Sequence, residues 1–516
     1  MRIPREKLAP TIAVLVSIFV AAMDISIMST VMPSVVGQLG GLPLYSWTIA
    51  AYLLTSTTTV PLYGKLADGY GRKPMFIVGT SLFVVGSLLS GLSGTIEQLI
   101  LFRALQGLGA GGILPITITI AGDLFQGEER AKIQGLISSV WGLAAILGPL
   151  AGSFIVLHAT WQWAFWLNVP VGFVTTSVLA RTFHERPVAT RHQLDWLGAV
   201  LLMASVASLL LALGDRGQAG LSNQASAALL AASAVLLALF ALVELRAAEP
   251  VVPFSLLRDR VMGLAMLGGF VLGACIYSAT TYLPLFVQGA QERGPADVAW
   301  VSAAISVAWT GGSILGSRVL MRLGFRVAAL LGMSVISLGG VLLLGLGRDT
   351  PLWMVAAAGS VLGVGLGTSS TSFIVVVQTA VGWEQRGIAT ATQQFFRAIG
   401  GTVWLSVQGA ALTATAAAGL AAVDAAGNLG ISVHIDDLNT MLEPAARAAL
   451  APEEARVLAQ VLGQGMHQVF VLYLAIALAG LAIVWFVPRG RLGERGGAPV
   501  GEAAALAAAR EAGPGT

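Results

Sequence analysis

One carboxylate stands alone in the first apolar stretch. Between Thr11 and Val36 of this 516-residue chain the single charged side chain is Asp24. A run of that length forms a helix across a bilayer, and at ~1.5 Å of rise per residue Asp24 lies ~20 Å into a hydrocarbon core ~30 Å thick. An ionised carboxylate there costs at least ~2.5–3.5 kcal/mol, so it must be protonated, paired or facing water inside a bundle. A carboxylate that gains and loses a proton at that depth can couple protons to transport. The competing reading is a buried Asp bonded to Ser26 or Ser29 that only fixes helix packing. Two arginines share the interior. Arg103 lies ~21 Å above the inner face, the depth of Asp24, and Arg397 lies ~15 Å in. An Asp24–Arg103 pair makes each charge less costly, and Arg397 could serve instead or in alternation.

The elements that must position these groups are apolar helices. The chain is 56% hydrophobic and 11% charged, with a mean hydropathy of +0.81. Soluble proteins carry about 25% charged residues, so this composition points to an all-α polytopic membrane protein. Fourteen apolar spans are read, at 11–36, 45–66, 74–93, 97–122, 132–157, 161–183, 195–213, 224–247, 261–289, 297–321, 327–347, 351–380, 387–418 and 465–487. With the N-terminus inside, about 22 Lys and Arg fall on the inner side and about 5 outside, which predicts cytoplasmic termini. The net charge of +3 therefore reports topology and not nucleic acid. The single Cys275 excludes an intramolecular disulfide, and the five histidines lack ligand spacing, so neither a metal site nor a cofactor is expected. The soluble loops hold no P-loop and no nucleophile–base set, so no catalytic residue is assigned.

An internal repeat divides the chain. Gly107-Leu108-Gly109 recurs 256 residues on as Gly363-Val364-Gly365, and Glu128-Glu129-Arg130-Ala131 as Glu384-Gln385-Arg386-Gly387. The expected organisation is a six-helix half at 1–190, two inserted helices and an inner linker at 191–260, and a second six-helix half at 261–487. An outer loop at 419–464 carries a short amphipathic lid or membrane-surface helix built on Val457, Leu458, Val461 and Leu462. A disordered cytoplasmic tail at 488–516 completes it.

Several motifs join these spans. Gly64-Lys65-Leu66-Ala67-Asp68-Gly69-Tyr70-Gly71-Arg72-Lys73 makes a tight inner turn, with glycines for the reversal and cations at the inner face. The stretch resembles the signature loop of the major facilitator superfamily. Leu101-Phe102-Arg103-Ala104-Leu105-Gln106-Gly107-Leu108-Gly109 resembles its second motif, and Gly142, Gly148-Pro149 and Gly152 resemble its antiporter motif. Trp161-Gln162-Trp163-Ala164-Phe165-Trp166-Leu167-Asn168-Val169-Pro170-Val171-Gly172 is similar to the fourteen-span drug:proton antiporter branch, as are Asp24 with Pro33 and Thr390-Ala391-Thr392-Gln393-Gln394-Phe395-Phe396-Arg397.

The resemblance implies the major facilitator fold with 14 helices (6 + 2 + 6) in two pseudo-symmetric halves. It implies a switch loop of Gly64, Asp68, Gly71, Arg72, Lys73 and Arg130, in which Asp68 contacts the thirteenth span near Gly387 and holds the outward-open state. It implies proton coupling through Asp24, Arg103 and Arg397. The activity implied is proton-coupled efflux of hydrophobic small molecules across the cytoplasmic membrane of a bacterium, driven by the proton gradient, in a monomer surrounded by lipid. A dedicated exporter of one antibiotic, peptide or lipid-like metabolite is the alternative, and a non-transporting receptor on the same fold is a more distant one. The antiporter motif disfavours a nutrient importer. With Asp24 as the sole deep acid, lipophilic monocations, zwitterions and neutral amphiphiles fit better than dications. Gln106, Trp141, Tyr277, Tyr282, Trp309, Gln393, Gln394 and Phe396 are the candidate cavity groups.

Overall fold

The computed structural model describes residues 4–39, 45–125, 127–185, 195–214, 223–247, 257–382, 385–425 and 451–487. Their regular structure is helical. In order the helices are α1 (Arg5–Leu39), α2 (Tyr45–Tyr70), α3 (Arg72–Gly91), α4 (Ile96–Leu124), α5 (Gly127–His158), α6 (Trp163–Trp166), α7 (Asn168–Thr182), α8 (Trp196–Gly214) and α9 (Asn223–Glu244). Then come α10 (Arg260–Leu285), which runs into a wider π-type turn at Phe286–Ala290, α11 (Pro295–Leu323), α12 (Phe325–Leu344), α13 (Leu352–Ala380), α14 (Arg386–Ala425) and α15 (Pro452–Trp485). Among the described residues eleven helices are long and apolar enough to cross a membrane. That is fewer than the fourteen apolar runs. The α8 helix contributes only a shorter apolar stretch, Leu197–Leu209, and neither α5 nor α2, with its polar run Thr55-Ser56-Thr57-Thr58-Thr59, is among the eleven.

Glycines set the packing, and they do so twice. A methyl group on Gly107 would come within 3.0 Å of Tyr52 Cα, and one on Gly111 within 3.2 Å of the Ser56 carbonyl carbon, so α4 lies directly on α2. On its other side Gly109 abuts α3, 2.9 Å from the Leu82 carbonyl carbon. The counterparts 256 residues on behave alike. Gly363 meets Trp309 N at 3.0 Å and Gly367 meets Ser313 N at 2.7 Å, setting α13 on α11, while Gly365 meets Ile336 N of α12 at 2.7 Å. Small residues permit this backbone-to-backbone approach in a solvent that offers no hydrophobic drive between helices.

The apolar cores follow the same division. The largest draws on residues of α10–α15, joined by Ile118, and three smaller ones draw on α1–α7. A fourth places Leu202 of α8 and Phe240 of α9 against Val60 of α2 and Phe395 of α14. The two groups of helices meet reciprocally. Gly142 of α5 faces Ser306 of α11, and Gly64 of α2 faces Ile388 of α14, at 3.2 Å and 3.3 Å from a notional Cβ.

Two elements differ from the apolar runs. The sixth run is broken between α6 and α7, because Pro170 cannot donate the bond that would return to Trp166. Asn168 consequently opens α7 and is buried. The α15 helix starts at Pro452 and runs unbroken for 34 residues, ~50 Å. The apolar spacing at Leu458 and Val461 is therefore not a separate lid or surface helix. Those side chains pack on Ala416 and Leu420 of the equally extended α14, so a helix buries the stripe and not a membrane surface. Residues 426–450 of the loop, the tail 488–516 and the side chains of Pro33 and Pro149 lie outside the described residues.

Candidate functional site

Asp24 is fully buried, 0% exposed, at the centre of a polar cluster from four helices. Its Oδ2 accepts from Arg103 Nη1 at 2.8 Å. Its Oδ1 accepts from Gln106 Nε2 at 2.9 Å and from Asn168 Nδ2 at 2.7 Å. Ser87 Oγ of α3 closes the ring, accepting from Gln106 Nε2 at 2.6 Å and Asn168 Nδ2 at 3.2 Å. Arg103 also donates to Gln106 Oε1 at 2.7 Å and lies over the Tyr52 ring, 4.2 Å from its centroid. Spacing on α4 explains the pair of ligands: residues 103 and 106 are three apart and share one face. Arg103, Gln106 and Asn168 each donate to this one buried carboxylate. A proton placed on Asp24 would remove the charged acceptor that holds Arg103, so protonation and side-chain arrangement are linked.

Sequence reasoning brought Asp24 and Arg103 together but missed Asn168, Ser87 and Tyr52. Asn168 carried a signal, an amide inside the tryptophan-rich string at a proline-broken start. Ser87 carried none, because serines recur along α3. Gly148 belongs here too. A side chain on it would meet Ser26, with its Cβ 3.2 Å from the Ser26 carbonyl carbon and 3.3 Å from Ile27 N, two to three residues from Asp24. We expect Gly148→Val to push α5 off α1 and lower stability by ~1–3 kcal/mol, read as a fall in the thermal midpoint of purified protein, with Gly148→Ala costing less.

At the α2–α3 turn a second cluster fastens the two groups of helices. Asp68 caps α14: Oδ1 accepts from Gly387 N at 3.1 Å and Oδ2 from Ile388 N at 2.6 Å. Its negative charge sits where the helix N-terminus is positive. Gly387 is required, since a Cβ there would fall 2.8 Å from Asp68 Cγ. Gly71, at φ 102°, makes the turn that sets up α3. Fully buried Arg72 reaches Asp68 at 2.9 Å, Asp123 at 3.2 Å and Glu185 at 3.8 Å. Glu185 also accepts from the backbone N–H groups of Arg72 (2.6 Å) and Lys73 (3.1 Å).

Arg386 pairs with Asp123 across the groups. The repeat reaches individual bonds: Arg130 donates to Gly122 O at 2.6 Å, and Arg386 donates to Gln378 O at 3.3 Å, donor and acceptor both moved by 256 residues. Arg130 also crosses to Gln378 O at 3.3 Å. Asp68 lies past the apolar run 45–66, and burial pushes its carboxyl up to about 7, opposed by Arg72 and the two α14 amides.

The remaining candidates separate. Gln106, read as a cavity group, is sealed and serves Asp24. Tyr282 is likewise engaged elsewhere, buried with its hydroxyl donated to Leu405 O at 3.0 Å. Trp141, Tyr277, Trp309, Phe396 and Arg397 are half-buried. Gln393 and Gln394 are buried, and the Gln393 amide oxygen has no partner among the described residues. Gly152 is buried on α5. The arginine paired with Asp24 in this structure is Arg103.

A helical bundle with a buried acid–base ring, repeated halves and a fastening between them has the build of a membrane transporter. The chain belongs to the Major Facilitator Superfamily, whose family profile matches residues 14–405. It is a multi-pass transporter protein and not an enzyme. It is 34% identical to the multidrug transporter protein MdtP of Bacillus subtilis over 402 residues, covering 78% of this chain and 74% of that one. Identity to multidrug resistance protein 3 of the same organism is 30%, covering 78% and 79%. The efflux pump dotC of Dothistroma septosporum is 29% identical over 508 residues, covering 93% and 84%. Among solved structures the human organic anion transporter MFSD10 superposes with a TM-score of 0.60 at 15% identity, over 93% of this chain and all of that one, which shows the shared fold.

Proposed function

We propose that this protein exports hydrophobic small molecules from the bacterial cytoplasm in exchange for protons, by alternating access of one central site. The observation that carries the reading is the sealed ring of Asp24, Arg103, Gln106, Asn168 and Ser87, where one carboxylate is the shared acceptor. The efflux and multidrug names of the relatives support the direction. In this reading the chain forms fourteen spans, 6 + 2 + 6, with both termini cytoplasmic, and acts as a monomer among membrane lipids. The Asp68–α14 latch then lies on the cytoplasmic side, and its engagement marks the inner-closed state. Asp24 takes a proton from the outside, which loosens Arg103 and lets substrate depart. The proton leaves to the inside when the bundle reopens there, and the carboxylate regains its donors. Arg72, Asp123, Glu185, Arg130 and Arg386 hold the inner gate in register while this happens.

The test uses inside-out vesicles with an acidic lumen. Uptake of a lipophilic monocationic dye and of a neutral one is expected to require the gradient and to stop on addition of a protonophore. Uptake indifferent to the protonophore would remove proton coupling from the account. Uptake of several unrelated dyes separates a broad exporter from one dedicated to a single metabolite.

A further inference from the structure

Arg397 is a second guanidinium at membrane depth, and the structure gives it no carboxylate. Arg103 is committed to Asp24, whereas Arg397 makes no hydrogen bond or ion pair among the described residues. Arginine stays ionised in proteins, and a charge inside a membrane bundle marks a substrate or ion pathway unless something neutralises it. Tyr277 of α10 packs against Gly401, one helical turn along α14 from Arg397. Arg397 is half-buried and not sealed.

The surroundings are held tightly. A Cβ on Gly273 would fall 3.0 Å from Arg397 Cα, one on Gly400 2.7 Å from Phe270 Cα, and one on Gly401 2.8 Å from the Tyr277 ring. These contacts keep α10 on α14 and Tyr277 beside Arg397. Unmet polar atoms lie along the same strip. At 100° per residue Gln393, Arg397 and Trp404 fall within ~40° of one another on α14. The Gln393 amide oxygen and the Trp404 indole nitrogen are both buried without a partner among the described residues. Guanidinium and indole groups only donate hydrogen bonds, and an amide can present either end. The strip is rich in donors and lacks an anion.

We propose that Arg397, with Tyr277 and Trp404, receives the oxyanion of a lipophilic ligand, the carboxylate of a substrate or the phosphate of a lipid. The deep charges favour an anion over a cation: Asp24 is balanced by Arg103, and Arg397 is left over. The inference rests on the exporter reading for its place in transport, but binding can be tested separately.

Full-length protein in phosphatidylcholine nanodiscs is titrated with a lipophilic fluorescent carboxylic acid and with its methyl ester. Wild-type protein is expected to bind the acid about tenfold or more tightly than the ester, the worth of a charge-assisted contact. Arg397→Gln should reduce acid binding to the ester's level and leave the ester unchanged, while Arg397→Lys, which keeps the charge but not the fork, retains part of the preference. Phosphatidylglycerol that competes the acid away assigns the site to a headgroup; acid preference that survives it assigns the site to substrate. Equal binding of acid and ester by wild type, or equal loss of both in Arg397→Gln, overturns the proposal. Proton-driven export of the ester that persists without any acid preference keeps the exporter reading and removes the anion site. Absence of proton-driven export of either probe, with acid preference intact, does the reverse.

Discussion

Asp24→Asn is expected to give a folded protein that binds substrate and no longer accumulates it against a gradient. The carboxamide is nearly isosteric and can still accept from Arg103 or Asn168, so the ring keeps its shape at a cost of about 1–3 kcal/mol for the weakened charged bonds. What it cannot do is take up and release a proton. Gradient-driven uptake should fall to background, while exchange of labelled for unlabelled substrate at equal concentrations continues. Arg103→Ala should behave differently. It leaves Asp24 and the Gln106 oxygen buried without their main donor, and the expected loss is about 3–5 kcal/mol of stability. Thermal unfolding of the two variants beside their exchange rates separates a proton carrier from a packing residue. Unimpaired accumulation by Asp24→Asn would leave the ring with a structural role only.

Asp68→Asn is expected to open the fastening at the α2–α3 turn. The carboxylate accepts two backbone N–H bonds from the start of α14 and pairs with Arg72, which has no solvent to fall back on. A charged hydrogen bond of this kind contributes about 1.5–3 kcal/mol, enough to shift a two-state equilibrium by ~10–100-fold. Spin labels at Tyr70 and Gln385, both exposed near the fastening, should report one short distance in wild type. In the variant a longer distance should dominate, with slower turnover. An unchanged distance distribution would mean that Arg72–Asp123 and Arg386–Asp123 hold the end without Asp68.

Much of the fold was legible because a bilayer imposes few solutions. Apolar runs of about twenty residues must become helices, and the 256-residue repeat follows glycines whose packing is repeated contact for contact, from Gly107 and Gly363 to Gly111 and Gly367. Depth arithmetic alone placed Asp24 and Arg103 at one level. It could not find Ser87 or Asn168, since hydropathy carries no information on which face of a helix meets which neighbour. It also misplaced Gln106 and Tyr282, because a polar side chain at the right depth can equally serve the acid ring or a helix carbonyl. The stretch at Leu458 and Val461 shows a further limit. An amphipathic pattern demands an apolar partner, but only the three-dimensional arrangement shows that the partner is α14.

The most direct test of the central claim is proton release on substrate binding to purified protein in weakly buffered detergent solution. If Asp24 carries the coupled proton, saturating substrate should displace protons from wild type, and Asp24→Asn should bind with comparable affinity and displace none. Release of equal size from the variant would contradict the claim and place the coupled proton on another group.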